Sequence, residues 1–195
     1  MSDNRLLNTL NSIVDYFLLN LLWVIASIPL LTIFPATTAM FGVIRKRQLQ
    51  KDSKGIFIDF VMMFKENFKQ SSLLSIIWAV VALFLYMDYV LINPRGSVVE
   101  LALYIFLVSA IILFSAITIF VFPVMVHFEL TLKDIIRNSF FFSLMKPMVT
   151  IVLLACLVMG IGSTYYYPIS VFIVPSIIVS IFYLFCQKLF DVVVK

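Results

Sequence analysis

The chain has 195 residues, 63% of them hydrophobic and only 12% charged, and its mean hydropathy is +1.12. A soluble domain carries about 25% charged residues, so this composition excludes that class and indicates an integral membrane protein. The net charge of +4 is not a nucleic-acid footprint, because the basic residues gather at the ends of apolar runs, as topology determinants do.

A short polar lead, Met1 to Asp15, precedes the first apolar run, which carries no charge until Arg45. About 20 apolar residues suffice to cross the hydrocarbon core, so a first span is predicted at residues 16–34. Pro29 and Pro35 interrupt the run and predict a kink or helix end, since each removes a backbone donor and crowds the preceding turn. In lipid the freed carbonyls need partners, and Thr32, Thr37 and Thr38 are close enough to supply hydroxyls. The run is too long for the apolar core of a secretory signal and has a poor cleavage site near Ala36 to Ala39.

Arg45, Lys46 and Arg47 open the one long hydrophilic segment, which extends to Gln70. Within it Phe57, Phe60, Val61, Phe64 and Phe68 share one helical face, with Asp59, Glu66, Lys69 and Gln70 on the other. That pattern predicts an amphipathic helix in the inner interface, where the phenylalanines act as an anchor or as a docking surface for a partner. Span two is predicted at 72–92 and span three at 101–126. A turn at Asn93 to Gly96 separates them, and Pro123, His127 and Glu129 mark the end of span three. A second basic connection, Lys133 to Lys146, leads into an uncharged run that Pro168 and Ser170 divide into spans four and five, at 148–165 and 169–187.

The expected fold is thus a single all-α membrane domain over residues 1–195, a bundle of about five transmembrane helices with an amphipathic interfacial helix after the first span. An amino end outside and a carboxyl end inside place Arg45, Lys46, Arg47, Lys51, Lys54, Lys65, Lys69, Lys133, Arg137, Lys146, Lys188 and Lys195 in the cytoplasm, against Arg5 and Arg95 outside. Most tyrosines fall at predicted outer ends, where amphipathic rings favour the headgroup level. A re-entrant first segment, with four crossings and both ends inside, is the alternative. Thr-Ile-Phe-Pro at Thr32 to Pro35 and Thr-Ile-Phe-Val-Phe-Pro at Thr118 to Pro123 each precede a basic Phe- and Asn-containing stretch and a new span. These two units form a candidate parallel repeat.

No catalytic constellation can be assembled. His127 is the single histidine, which excludes clustered-histidine metal sites, and no phosphate-binding loop is present. No cofactor and no enzymatic activity are expected. Intramembrane ionisable residues mark transport paths, and Asp88 is the candidate here. His127 beside Glu129 is a candidate acid–base pair. Cys156, Gly160 and Thr164 recur every four residues and suit close helix contact, within the chain or with a partner; Cys156 and Cys186 read as apolar packing residues.

Leu19 to Lys46, above all Asn20 to Trp23, Ile28 to Thr32 and Pro35 to Ala39, together with Phe64 to Ser71, resembles the YesL-like family of bacterial membrane proteins, a domain of unknown function. The resemblance covers most of the chain. It implies a bacterial plasma-membrane protein, in a family often encoded beside carbohydrate ABC importers and glycan-degrading enzymes. The expectation that follows is an accessory subunit contacting the permeases of an oligosaccharide ABC importer. The alternatives are an independent small-solute transporter or channel and, more distantly, a membrane partner of a sensor kinase.

Overall fold

The computed structural model describes residues 2–49 and 53–193, with side chains for 12–49 and 53–191. The side chains of Asp3, Arg5, Lys51, Asp52 and Lys195, counted in the charge reading, lie outside the described residues. The elements run α1 (Ser2–Ala26), a 3₁₀ turn (Leu30–Thr32), α2 (Ile33–Gln48), α3 (Ile56–Leu91), α4 (Val98–His127), α5 (Leu132–Met145), α6 (Pro147–Tyr166), a second 3₁₀ turn (Pro168–Phe172) and α7 (Val174–Val193). Among the described residues there is no strand, and α3, α4, α6 and α7 are long and apolar enough to cross a membrane. The chain is a helical, multi-pass membrane bundle, as its composition requires.

The first apolar run does not make one crossing. α1 stops at Ala26, the chain turns, and α2 returns beside it as an antiparallel hairpin. Two contacts fix this geometry. Arg47 Nη2 donates to Asp15 Oδ2 at 2.7 Å at the mouth, and Trp23 Nε1 donates to Thr37 Oγ1 at 3.1 Å higher up. Asp15 to Ala26 spans only about 17 Å along a helix axis, well short of the ~30 Å hydrocarbon core. The tip is apolar and bare, with Ile28, Leu30 and Leu31 exposed at 75%, 80% and 66%. It is a tip suited to lipid, not water. The expected span at 16–34, with Asp15 outside and the basic cluster inside, is therefore corrected: Asp15 and Arg47 sit on the same side, and the first segment is re-entrant.

The two prolines act differently. Pro29 has an extended backbone (φ −76°, ψ 121°) and ends the first helix. Pro35 lies in the first turn of α2, where backbone N–H groups have no intrahelical acceptor, so it costs no hydrogen bond.

α2 is the centre of the molecule. It carries small side chains, and Ala36, Thr38 and Ala39 are fully buried, with Met40, Val43 and Ile44 nearly so. Small residues let neighbouring backbones approach where lipid supplies no hydrophobic drive between helices. α3 packs antiparallel against it, with Gly42 facing Met63 so closely that a Cβ there would lie 2.8 Å from Met63 Sδ. At about 54 Å, α3 is longer than the hydrocarbon core is thick. The amphipathic segment and the second span are thus one continuous helix. Phe60 is buried and Phe64 packs against the core, while Phe57 and Phe68 remain exposed. The aromatic face is therefore divided between the protein interior and its surroundings.

Lys46 Nζ donates to Asp59 Oδ1 at 2.6 Å, and Ser53 Oγ donates to Asp59 Oδ2 at 2.6 Å. Burial pushes the Asp59 carboxyl up, but these hydrogen bonds and the Lys46 charge together outweigh it and hold the group below the usual carboxylate range. Gly55, at φ 106°, supplies the left-handed residue that starts α3.

The second half repeats part of this plan. α4 carries the buried Pro123 within its last turns and ends at His127, and α5 folds back on it through Ile135, Ser139, Phe142 and Ser143. Thr131 starts α5, its Oγ1 accepting from the Asp134 N–H at 3.4 Å. The two units meet at Phe34 and Phe122, whose ring centroids lie 5.2 Å apart. They differ where the new span begins: α3 is continuous, whereas the non-helical Lys146 separates α5 from α6, which Pro147 opens at its first helical position. The final span starts later than predicted, since the 3₁₀ turn at Pro168–Phe172 takes up its first residues.

Two outcomes test this fold. Lys46→Met leaves the Asp59 carboxylate buried and unpaired, and is expected to lower stability in detergent by roughly 3–5 kcal/mol, most of it recovered in Lys46→Met/Asp59→Leu. Because the Asp59 pKa is lowered on folding, its contribution is present above about pH 3.9 and fades as the pH falls through its folded value. In a Cys156→Ser/Cys186→Ser background, Ser12→Cys and Lys54→Cys should react with an impermeant thiol reagent from one side of the membrane, and Arg95→Cys from the other. Labelling of Ser12→Cys together with Arg95→Cys would restore five crossings.

Candidate functional site: a cavity behind the hairpin

Asn20 is a carboxamide in an otherwise apolar stretch of α1, and it is fully buried. Its Nδ2 donates to Ser176 Oγ at 2.7 Å and to the Phe172 carbonyl at 3.0 Å, and its Oδ1 accepts from the Ser176 N–H at 2.9 Å. Ser176 lies in the first turn of α7, where N–H groups lack intrahelical acceptors. A side chain 156 residues away thus caps α7 and ties the second 3₁₀ turn to the hairpin.

One turn further along α1, Trp23 reaches Thr37, and their side chains begin the wall of a cavity of about 580 Å³. α2 contributes Met40 and Phe41, α4 contributes Thr118, Ile119 and Phe122, α6 runs along it from Leu157 to Tyr165, and α7 from Val174 to Phe182. Its threonine hydroxyls are already engaged. Thr37 accepts from Trp23, Thr118 donates to the Phe114 carbonyl and accepts from Trp78 Nε1 at 2.9 Å, and Thr164 donates to the Gly160 carbonyl. What remains is apolar surface.

Below the cavity, at the mouth of the hairpin, polar groups from four helices converge. His127 Nδ1 lies 2.9 Å from the Tyr183 hydroxyl, Arg45 Nη2 donates to the His127 carbonyl at 3.4 Å, and Gln48 Nε2 donates to the Ser180 carbonyl at 3.0 Å. Ser180 Oγ in turn donates to Tyr16 at 3.2 Å, and the Arg47 guanidinium stands over the Tyr16 ring. The Arg45 Nε, Arg47 Nη1 and Gln48 Oε1 atoms are buried there without a partner.

The predicted site residues separate into groups. Thr32 does what the proline break requires, donating to the Ala26 and Pro29 carbonyls at 2.6 and 2.7 Å. Thr37 and Thr38 serve other partners: Thr38 Oγ1 donates to Met125 Sδ at 3.6 Å. Gly160 is an internal contact, since a Cβ there would run into the Ile178 side chain, while Cys156 lies half-buried on the same helix. His127 pairs with Tyr183, and Glu129 is exposed. Asp88 sits near the far end of α3 and does not line the cavity. Among the described residues no group of His, Cys, Asp and Glu could hold a metal ion. Asn20 and Trp23 were read only as parts of a motif. The available signal was that a lone carboxamide in an apolar helix needs a hydrogen-bonding partner on another helix.

Hairpin, apolar cavity and basic mouth belong to a helical multi-pass membrane protein assembled around a re-entrant element. A family described as "Protein of unknown function, DUF624" matches residues 16–89, which run from the middle of α1 through α3. The chain is 31% identical over 140 residues to "Uncharacterized protein YesL" of Bacillus subtilis (strain 168), covering 70% of this chain and 66% of that protein. It is 28% identical over 157 residues to "Uncharacterized protein YteU" of the same strain, covering 79% and 70%, and 26% identical over 132 residues to "Uncharacterized protein YesV", covering 68% and 62%. The chain thus spans about two thirds of the length of these curated relatives. It belongs to the YesL-like family. No solved structure matches it.

Asn20→Leu removes three hydrogen bonds and leaves the Ser176 N–H and the Phe172 carbonyl unpaired. Each such buried group costs about 1–3 kcal/mol, so a clear drop in thermal stability in detergent is expected.

Proposed function

We propose that this protein is a non-enzymatic accessory subunit that contacts the permeases of an oligosaccharide ABC importer in the bacterial plasma membrane, with its basic side and both chain ends in the cytoplasm. The supporting observation is the outer part of the α3–α4 hairpin. Val80, Leu83, Phe84, Leu91, Val98 and Phe106 are 60–85% exposed there, and the two helices meet through Tyr89 and Tyr104 at 6.1 Å. Among the described residues no further helix covers these faces. Ala79 and Ala82, exposed on one side of α3, allow a partner helix to approach closely. The partner's identity rests on the family resemblance, and the side of the membrane on the grouping of basic residues.

The reading is tested by affinity purification in mild detergent and by uptake in a deletion strain. The permease pair should copurify with the wild-type chain, copurification should fall with Ala79→Trp/Ala82→Trp, and oligosaccharide uptake should drop without the protein. Normal uptake together with no copurification overturns it. Solute movement by the purified chain alone in liposomes would favour the independent transporter instead.

A further inference from the structure

We infer that the cavity behind the hairpin is a binding site for a long alkyl chain, supplied by a phospholipid of the surrounding bilayer. The site lies between α2, α4, α6 and α7, three of which are long enough to span the membrane. The cavity, of about 580 Å³, is open on one side, and its lining gains packing contacts only if a group of matching chemistry enters it. The walls decide that chemistry.

Water is a poor candidate, because it needs two to four polar partners, the wall threonines are already engaged, and the remaining hydroxyl, that of Tyr165, stands at the exposed rim. A sugar fails for the same reason. A partner helix is too wide: at ~10 Å diameter, over the roughly 12 Å between Val174 and Phe182, it needs on the order of 900 Å³. A flexible alkyl chain fits both the volume and the apolar lining. The way in is on the page as well. Ile161 and Tyr165 belong to the wall and are exposed, so the cavity opens sideways at the end of α6, where Tyr165, Tyr166 and Tyr167 form an aromatic rim. Such rings favour the headgroup level, which leaves the head at the rim and the chain inside.

The chain has two tryptophans, and Trp23 is in the wall. Trp78→Phe leaves Trp23 as the sole reporter. Titrating a phosphatidylglycerol brominated along its acyl chains into this variant in detergent should quench Trp23 fluorescence saturably, and Val174→Phe, which fills the cavity, should abolish the saturable part. Native mass spectrometry of the unaltered protein provides a measurement independent of either substitution. A retained adduct with the mass of a diacyl phospholipid supports the proposal in full, and one with the mass of a free fatty acid supports the alkyl site with a different donor. Quenching that rises in proportion to brominated lipid without saturating, unchanged by Val174→Phe, overturns it, as does the absence of any retained lipid.

Discussion

A chain that reverses inside a bilayer leaves the last carbonyls of one helix without partners, and lipid offers them none. The turn between Ala26 and Ile33 is possible because Thr32 returns its hydroxyl to the Ala26 and Pro29 carbonyls while the Ser27 N–H still reaches Trp23. Once the tip is closed from within, the two arms are held by Trp23 on Thr37 and by Arg47 on Asp15. The rest of the bundle is arranged on this unit. α3 joins it through Lys46 and Asp59, α4 through Phe122, and α7 through Asn20. Asn20, Trp23, Thr32, Thr37 and Lys46 lie in the sequence element that carries the family likeness, Phe122 lies outside it, and the family match ends with α3.

The membrane class was legible from composition alone, and so were the proline break and the hydroxyl that closes it. Direction was not. An uncharged run of hydrophobic residues reads the same whether it goes through the bilayer or goes in and returns, because hydropathy is a scalar and carries no heading. The deciding information lay in Asp15 and Arg47, whose pairing joins positions 32 residues apart and so escapes any windowed pattern. The phenylalanine stripe shows the same limit at shorter range. Periodicity showed correctly that Phe60 and Phe64 share a face, but an apolar face satisfies its preference equally well against lipid or against another helix. The small, partly polar α2 settled the matter by filling the centre of the bundle.

The charge distribution survives the correction because it is indifferent to it. A hairpin returns the chain to the side it left, so four crossings with a re-entrant start keep Arg45, Lys46, Arg47, Lys54, Lys65, Lys69, Lys133, Arg137, Lys146 and Lys188 at the same ends of their helices, with Arg95 opposite. Only the lead before Asp15 changes sides, and it carries little charge. The positive-inside bias therefore orients either arrangement and cannot choose between them. The ion pair can, because a carboxylate and a guanidinium 2.7 Å apart cannot lie on opposite faces of a bilayer.

The polar groups on the page also separate structure from transport. A path for a sugar or an ion needs hydrogen-bonding atoms left over for the solute. Around the cavity Thr37, Thr118 and Thr164 are spent on Trp23, Phe114 and Gly160, and Asn20 is spent on α7. Buried polar atoms without a partner lie at the mouth of the hairpin, on Arg45, Arg47 and Gln48, and at the other ends of the helices, on Ser27, Glu100 and Ser170, and none of these residues lines the cavity. The hydrogen bonds around the cavity thus serve the shape of the bundle, and the apolar surfaces left bare are the outer faces of α3 and α4 and the tyrosine rim of α6.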